Sequence, residues 1–163
     1  MEIRKASLLD YTTIHTIALP VWDATYKAIL TDEQMEYMLN LMYSEEAITE
    51  QIAVKGHKFL LAEDGGEYLG FASYELNHLS ETTKIHKLYV LPQAHGKGIG
   101  KALVTVIENA AKKSSNDKVV LNVNKFNPAI NFYLKYGFTN MGDDIIDIGN
   151  GYVMDDYLMM KQL

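Results

Sequence analysis

The run His95-Gly96-Lys97-Gly98-Ile99-Gly100-Lys101 has the residue types and spacing of a ligand loop. Glycines at alternate positions can take positive φ and let backbone N–H groups approach a ligand closely. A helix beginning at this turn adds free N–H donors and the positive end of its dipole. That combination suits an anion such as a pyrophosphate. A tight strand-to-helix turn that holds nothing accounts for the same glycines equally well. Two familiar phosphate loops fail on spacing. A P-loop needs four residues between its glycines and a Ser or Thr after its lysine. Here three residues separate Gly96 from Gly100, and Ala102 follows Lys101. A dinucleotide fingerprint needs a glycine where Lys101 stands, and it belongs in a first βαβ unit.

A strand must bring the chain to this turn and a helix must carry it away. Residues 84–91 read as the strand. From Ile99 the apolar residues fall at Leu103, Val106, Ile107 and Ala110, one face of a helix. Upstream, residues 3–6 form a short strand. Residues 8–19 have helical apolar spacing that Pro20 should break, which leaves Trp22 and Tyr26 in a loop or half-turn. Thr31-Asp32-Glu33-Gln34 matches a capping box and predicts a helix to about residue 42. Ser44-Glu45-Glu46 should start another turn, running to about residue 54. Residues 58–63 and 68–76 pair as strands across Asp64-Gly65-Gly66-Glu67. Downstream come a strand at 119–123 and a short helix at 128–136, opened by Pro128 and stopped by Gly137. Strands at 138–141 and 152–160 close the chain, joined by a loop rich in Asp and Gly. The order βααβββαβαββ implies an α/β (α+β) fold with a mixed sheet and helices on both faces.

Composition narrows the function. The 163 residues fit one domain, 1–163, better than two. A chain of this length buries roughly 70% of its unfolded surface, enough for a core of its own. The net charge of −6 carries no basic nucleic-acid footprint and favours cationic small molecules. The absence of cysteine excludes a disulfide scaffold, a thiolate zinc site and an acyl-cysteine intermediate. Met1-Glu2-Ile3-Arg4-Lys5 is not a signal peptide, and the uncharged stretch 11–22 is too short to span a bilayer. The expectation is a cytoplasmic protein with neither nucleic acid nor membrane as partner. A homodimer is compatible with the sequence, dimers being common among soluble proteins.

Two segments resemble the GNAT superfamily of N-acetyltransferases. Val90-Leu91-Pro92-Gln93-Ala94-His95-Gly96-Lys97-Gly98-Ile99-Gly100-Lys101-Ala102-Leu103 is similar to that family's acetyl-CoA segment. Asn127-Pro128-Ala129-Ile130-Asn131-Phe132-Tyr133-Leu134-Lys135-Tyr136-Gly137-Phe138 resembles its second signature. Both occur in order, about thirty residues apart with a strand between, and the element order agrees over nearly the whole chain. The resemblance implies a mostly antiparallel central sheet in which two parallel strands, 84–91 and 119–123, splay to admit acetyl-CoA. Backbone groups of Leu88, Tyr89 and Val90 would pair with the pantetheine. Amides of His95, Gly96, Lys97, Gly98, Ile99, Gly100 and Lys101 would hold the pyrophosphate. His95 stands where the family usually has Gln or Arg. Asn127 stands one residue closer to Ala129 than the pattern has it, which bears on its pantetheine contact.

Acetyl transfer to an amine needs a deprotonated nucleophile, because an ammonium of pKa about 10 does not attack. It also needs a stabilised oxyanion and an acid for the thiolate. The resemblance places Tyr133 beside the sulfur as that acid; the competing reading is a core aromatic. For the base, Asn122 near the end of the 119–123 strand cannot accept a proton. His86 lies four residues before Val90, hence on the same face of a regular strand, and has a suitable pKa. A structural histidine is an equal alternative, with Glu75 or water in reserve. For the acceptor, Trp22 and Tyr26 are candidate lining residues, although core packing explains them as well. Asp143, Asp144, Asp147, Asp155 and Asp156 could receive a polyamine's second cation, or form a solvated loop. The stretch around Val153–Met159 loosely resembles bacterial polyamine acetyltransferases. The reading is an enzyme that moves an acetyl group from acetyl-CoA to a small-molecule amine acceptor. A non-catalytic acyl-CoA-binding module and a protein or peptide N-acetyltransferase are the alternatives.

Overall fold

A computed structural model describes residues 1–163. Its centre is a seven-stranded sheet of order β1-β2-β3-β4-β5-β7-β6. The strands are β1 (Glu2–Ala6), β2 (Lys58–Asp64), β3 (Glu67–Leu79), β4 (Thr82–Val90), β5 (Lys118–Asn124), β6 (Thr139–Gly149) and β7 (Tyr152–Gln162). Every neighbouring pair is antiparallel except β4 and β5. Helices α1 (Tyr11–Tyr26), α2 (Asp32–Tyr43) and α3 (Glu45–Ala53) cover one face. There Trp22, Tyr43 and Ile48 pack on Phe59, Leu61 and Phe71. Helices α4 (Ile99–Lys113) and α5 (Ala129–Lys135) cover the other, where Leu103, Ile107 and Tyr133 pack on Ile85, Val119 and Leu121.

Three expectations give way. Pro20 does not end the first helix; α1 runs through it to Tyr26, so Trp22 and Tyr26 are helical. Leu19 and Pro20 lie on the exposed side, where water can satisfy the carbonyl freed by the ring. Proline inside a helix costs about 3 kcal/mol. Burying Val21, Trp22 and Tyr26 beyond it contributes about 1.5–3 kcal/mol per large apolar side chain and outweighs that cost. Second, the predicted turn after Ser44 is a third helix. Ser44 is extended (ψ 156°), ends α2, and its hydroxyl accepts from Ala47 N–H at 3.1 Å to begin α3. Third, the Asp- and Gly-rich stretch before residue 152 is mostly strand. β6 pairs with β7 up to Gly149↔Tyr152, leaving only Asn150-Gly151 as the turn. Both turn residues have positive φ, 55° and 78°, as a two-residue hairpin of this hand requires.

The sheet opens at one place. The β4–β5 ladder runs from Thr82↔Lys118 to Ile85↔Leu121 and stops. Beyond it β4 stays paired with β3 as far as Val90, and β5 with β7 as far as Asn124. His86–Val90 and Asn122–Asn124 therefore border a fork in the sheet.

Candidate functional site

At the mouth of the fork the chain leaves β4, makes a short helical turn at Pro92–Ala94 and enters α4. Gly96 (φ 82°) and Gly98 (φ 78°) are both left-handed, which other residues adopt only with strain. A Cβ at either would project into open space with no atom within 4 Å, so both backbones are bare on the outer side. The first bond of the helix is Ala102 N–H to Gly98 O at 3.0 Å; the amides of Ile99, Gly100 and Lys101 before it have no acceptor in the chain. Lys97 and Lys101 are exposed beside them. Gly100 is needed for another reason. Its Cβ would lie 3.2 Å from the Phe132 ring, so this glycine lets α5 pack against the start of α4. The exposed His95 imidazole has its Nε2 3.0 Å from Val90 O, which fastens the loop to the end of β4.

Leu88, Tyr89 and Val90 pair with β3 on one side and face the fork on the other. The expectation that His86 and Val90 share a face is corrected by a β-bulge. The β3–β4 register slips between Ser73↔Lys87 and Tyr74↔Ile85, leaving His86 without a partner. Side-chain alternation resets there. Val90 packs with the α4–α5 core, while His86, Lys87 and Tyr89 line a cavity on the α1–α3 face.

That cavity has a volume of about 250 Å³. Its walls are Trp22 and Tyr26 of α1, Gln34, Met38 and Met42 of α2, and the edges of β4, β5 and β7. Trp22 and Tyr26 thus serve both the core and the cavity. Asp156 is the single carboxylate in the lining and is 3% exposed. Burial, reinforced by Asp144 and Asp155, pushes its carboxyl up to about 6. On the opposite wall burial pushes the Lys87 ammonium down to about 7; its Nζ donates to Gln51 Oε1 at 2.7 Å. The sequence reading placed Asp156 among loop acids. Its position opposite Asn124 on a strand flanking the fork depends on the β5–β7 register, which no local pattern carries. The other acids stay outside. Asp143 and Asp155 hold Lys125, each at 2.8 Å, Asp144 accepts from Asn122 Nδ2 at 2.6 Å, and Asp147 accepts from Gly149 N–H at 2.8 Å.

His86 does not stand alone. Its Nε2 is 2.9 Å from Glu75 Oε2, and His78 Nδ1 is 2.8 Å from the same oxygen. Burial pushes the His86 imidazole below its ordinary range; the Glu75 bond opposes this without reversing it. Burial favours a neutral Glu75, but its bonds to His86 and His78 outweigh that and hold the carboxyl low. Tyr133 sits in α5 with its ring in the α4–α5 core. Burial, with Tyr26 nearby, pushes its phenol up, so the hydroxyl stays protonated. The Asn127 side chain is committed within the chain: Oδ1 accepts from Ala129 N–H at 2.9 Å, and Nδ2 donates to Tyr26 OH of α1 at 3.3 Å.

Known proteins agree with this geometry. Residues 26–154 match the family model of the acetyltransferase (GNAT) domain. A spermidine N(1)-acetyltransferase of Thermoplasma acidophilum is 29% identical over 160 residues, 95% of this chain and 96% of the relative. The crystal structure of the PaiA N-acetyltransferase of Thermoplasma acidophilum in complex with coenzyme A superposes with a TM-score of 0.82 at 28% identity, covering 99% of this chain and 98% of that one. A GCN5-related N-acetyltransferase from Rhodopseudomonas palustris shares the fold, with a TM-score of 0.82 at 22% identity over 99% and 95% of the two chains. With the glycine cradle, the forked sheet and a match across most of its length, the chain belongs to the GNAT acetyltransferase family, whose members are acetyl-CoA-dependent acyltransferases.

Proposed function

We propose that this protein acetylates a primary amine of a small, polyamine-like molecule, with the acceptor in the α1–α3 cavity and the donor in the fork. The cradle residues fit the donor. Bare amides at Ile99–Lys101, open space at Gly96 and Gly98, and flanking lysines suit a pyrophosphate. The free edge of Leu88–Val90 suits the amide-bearing pantetheine. Acetyl-CoA supplies the acetyl group, activated as a thioester.

The observation that carries the reading is that Asp156 and Lys87 line one cavity. Lys87 gauges what this environment does to an amine: burial, with Lys55 nearby, brings it down to about 7. An acceptor ammonium entering the same cavity loses water in the same way. Asp156, held near 6, is then close enough in proton affinity to take its proton. The neutral amine attacks, and Tyr133 gives a proton to the departing sulfur. The raised phenol pKa keeps that proton in place until a thiolate has formed. Lys84, Lys87 and Lys55 face the cavity from the other walls. A second cation on the acceptor is therefore directed toward the β6–β7 hairpin, where Asp144 stands opposite Asp156. The name of the Thermoplasma relative, a spermidine acetyltransferase, supports the same acceptor class.

Thiol release from acetyl-CoA tests this. With no cysteine in the chain, a thiol-reactive dye meets no protein background. Release dependent on spermidine or a diamine is expected. Release with amino acids or peptides and none with polyamines would overturn the acceptor assignment.

A further inference from the structure

Three of the five histidines, His57, His78 and His86, gather around the carboxylate of Glu75. Acetyl transfer requires nothing of that kind, and none of the three has a part in the chemistry proposed above. We infer that His57, Glu75 and His86, with His78 beside them, form a binding site for a divalent transition cation of the zinc class.

The donor atoms are close enough. One ligand atom from each of His57, Glu75 and His86 lies within 4.8 Å of the other two. Glu75 Oε2 stands 2.9 Å from His86 Nε2, 2.8 Å from His78 Nδ1 and 3.7 Å from His57 Nε2. Two metal–ligand bonds of about 2.0–2.1 Å span about 2.9 Å at a right angle and about 3.4 Å at the tetrahedral angle. The observed separations bracket those values. Imidazole with carboxylate is the donor set zinc and its neighbours take.

Lys87, Lys55 and Lys84 are the cations near these rings. The Lys87 ammonium is held by Gln51 Oε1 at 2.7 Å.

His57 is the second, independent sign. It is 9% exposed, its Nδ1 has no hydrogen-bond partner, and its Nε2 is too far from Glu75 for a hydrogen bond. A polar ring this buried normally has a partner. It stacks on His86 with centroids 3.9 Å apart and planes 14° from parallel. Parallel rings cannot aim both in-plane lone pairs at one ion, so one ring must turn. His57 can turn without breaking any hydrogen bond. His78 and Glu75 are 30% and 26% exposed, which leaves an ion a route in.

The test is a titration of tag-free, chelator-treated protein with zinc sulfate alone, without acetyl-CoA, in competition with a chromophoric zinc indicator at pH 7.5. One equivalent should bind to wild type and to His15→Ala. Binding should weaken at least tenfold in Glu75→Gln and in His57→Gln. Thermal melts check that each variant is folded. Imidazole NMR spectra of the wild type provide a readout that needs no variant: zinc should shift the His57 and His86 resonances. No binding, equal binding in both variants, or shifts confined to His15 and His95 would each overturn the site. Because the assay contains no acetyl donor, its failure leaves the acetyltransferase reading standing.

Discussion

Replacing Asp156 by Asn should move activity and stability in opposite directions. In an open chain this carboxyl would titrate near 3.8, and in the fold burial holds it near 6. A raised acid pKa means that the folded protein binds the proton more tightly than the unfolded one between those values. Stability therefore falls as pH rises from about 4 to about 6 and stays reduced above that. At about 1.4 kcal/mol per pH unit, the ionised carboxylate costs the folded state about 3 kcal/mol at neutral pH. Asp156→Asn removes the charge and keeps the size. It should raise the melting temperature at pH 7.5 by up to roughly 6–12 °C, at about 2–4 °C per kcal/mol for a chain of this length. At pH 4 the gain should vanish. Over the same range kcat/KM should drop about 10²- to 10⁴-fold, the usual contribution of a general base. The acidic limb of the wild-type profile, centred near pH 6, should disappear. Differential scanning calorimetry at both pH values and a kcat/KM profile for each protein settle it. A destabilised variant that retains activity and its limb near pH 6 would refute the reasoning and remove Asp156 as the proton acceptor.

Tyr133→Phe keeps the packing of α5 and removes the hydroxyl. It should lower kcat about 10- to 100-fold with the affinity for acetyl-CoA unchanged, and full turnover would remove the acid from the mechanism. Gly98→Val puts a β-branched residue at φ 78° and a bulky group where the phosphates must approach. It should cost about 1–3 kcal/mol of stability, leave the chain folded and lower acetyl-CoA affinity at least tenfold by calorimetry. In Gly70→Ala the new Cβ would lie 2.9 Å from Tyr89 O and 3.2 Å from Ile99 Cγ2. It should destabilise by about 1–3 kcal/mol and weaken acetyl-CoA binding, because it pushes directly on the bank of the fork. Chemical denaturation with a binding titration measures both.

The parts of the site governed by local rules could be read in advance. The cradle glycines and the helix after them follow from backbone permissiveness and apolar spacing, both local. The gap after Ile85 and the place of Tyr133 came by resemblance to a family, not from any periodicity. What escaped was set by distant partners. The bulge at His86 exists only relative to β3, and it reversed which side chains share a face. Asp156 acquires its burial from β5 and from the helices opposite. Pro20 misled because a local breaker was outweighed by tertiary burial. The strands at 138–141 and 152–160 are legible, but the rest of β6 reads as a loop when Asp and Gly are weighed as composition; Asn150-Gly151 alone is the hairpin signal.

The fork also has a mechanical side. Between β4 and β5 the sheet is continuous only along Thr82–Ile85, so the two halves of the molecule are laced by a short ladder at one end and by packing on either face. A donor molecule lying between the strands would act as a missing rung, borne by both banks. The unfolding free energy then depends on supply: donor present at a hundred times its dissociation constant adds about 2.7 kcal/mol, and depletion withdraws it. Starved of acetyl-CoA, the protein would be idle and also less durable, opening first along the seam where its donor is meant to lie.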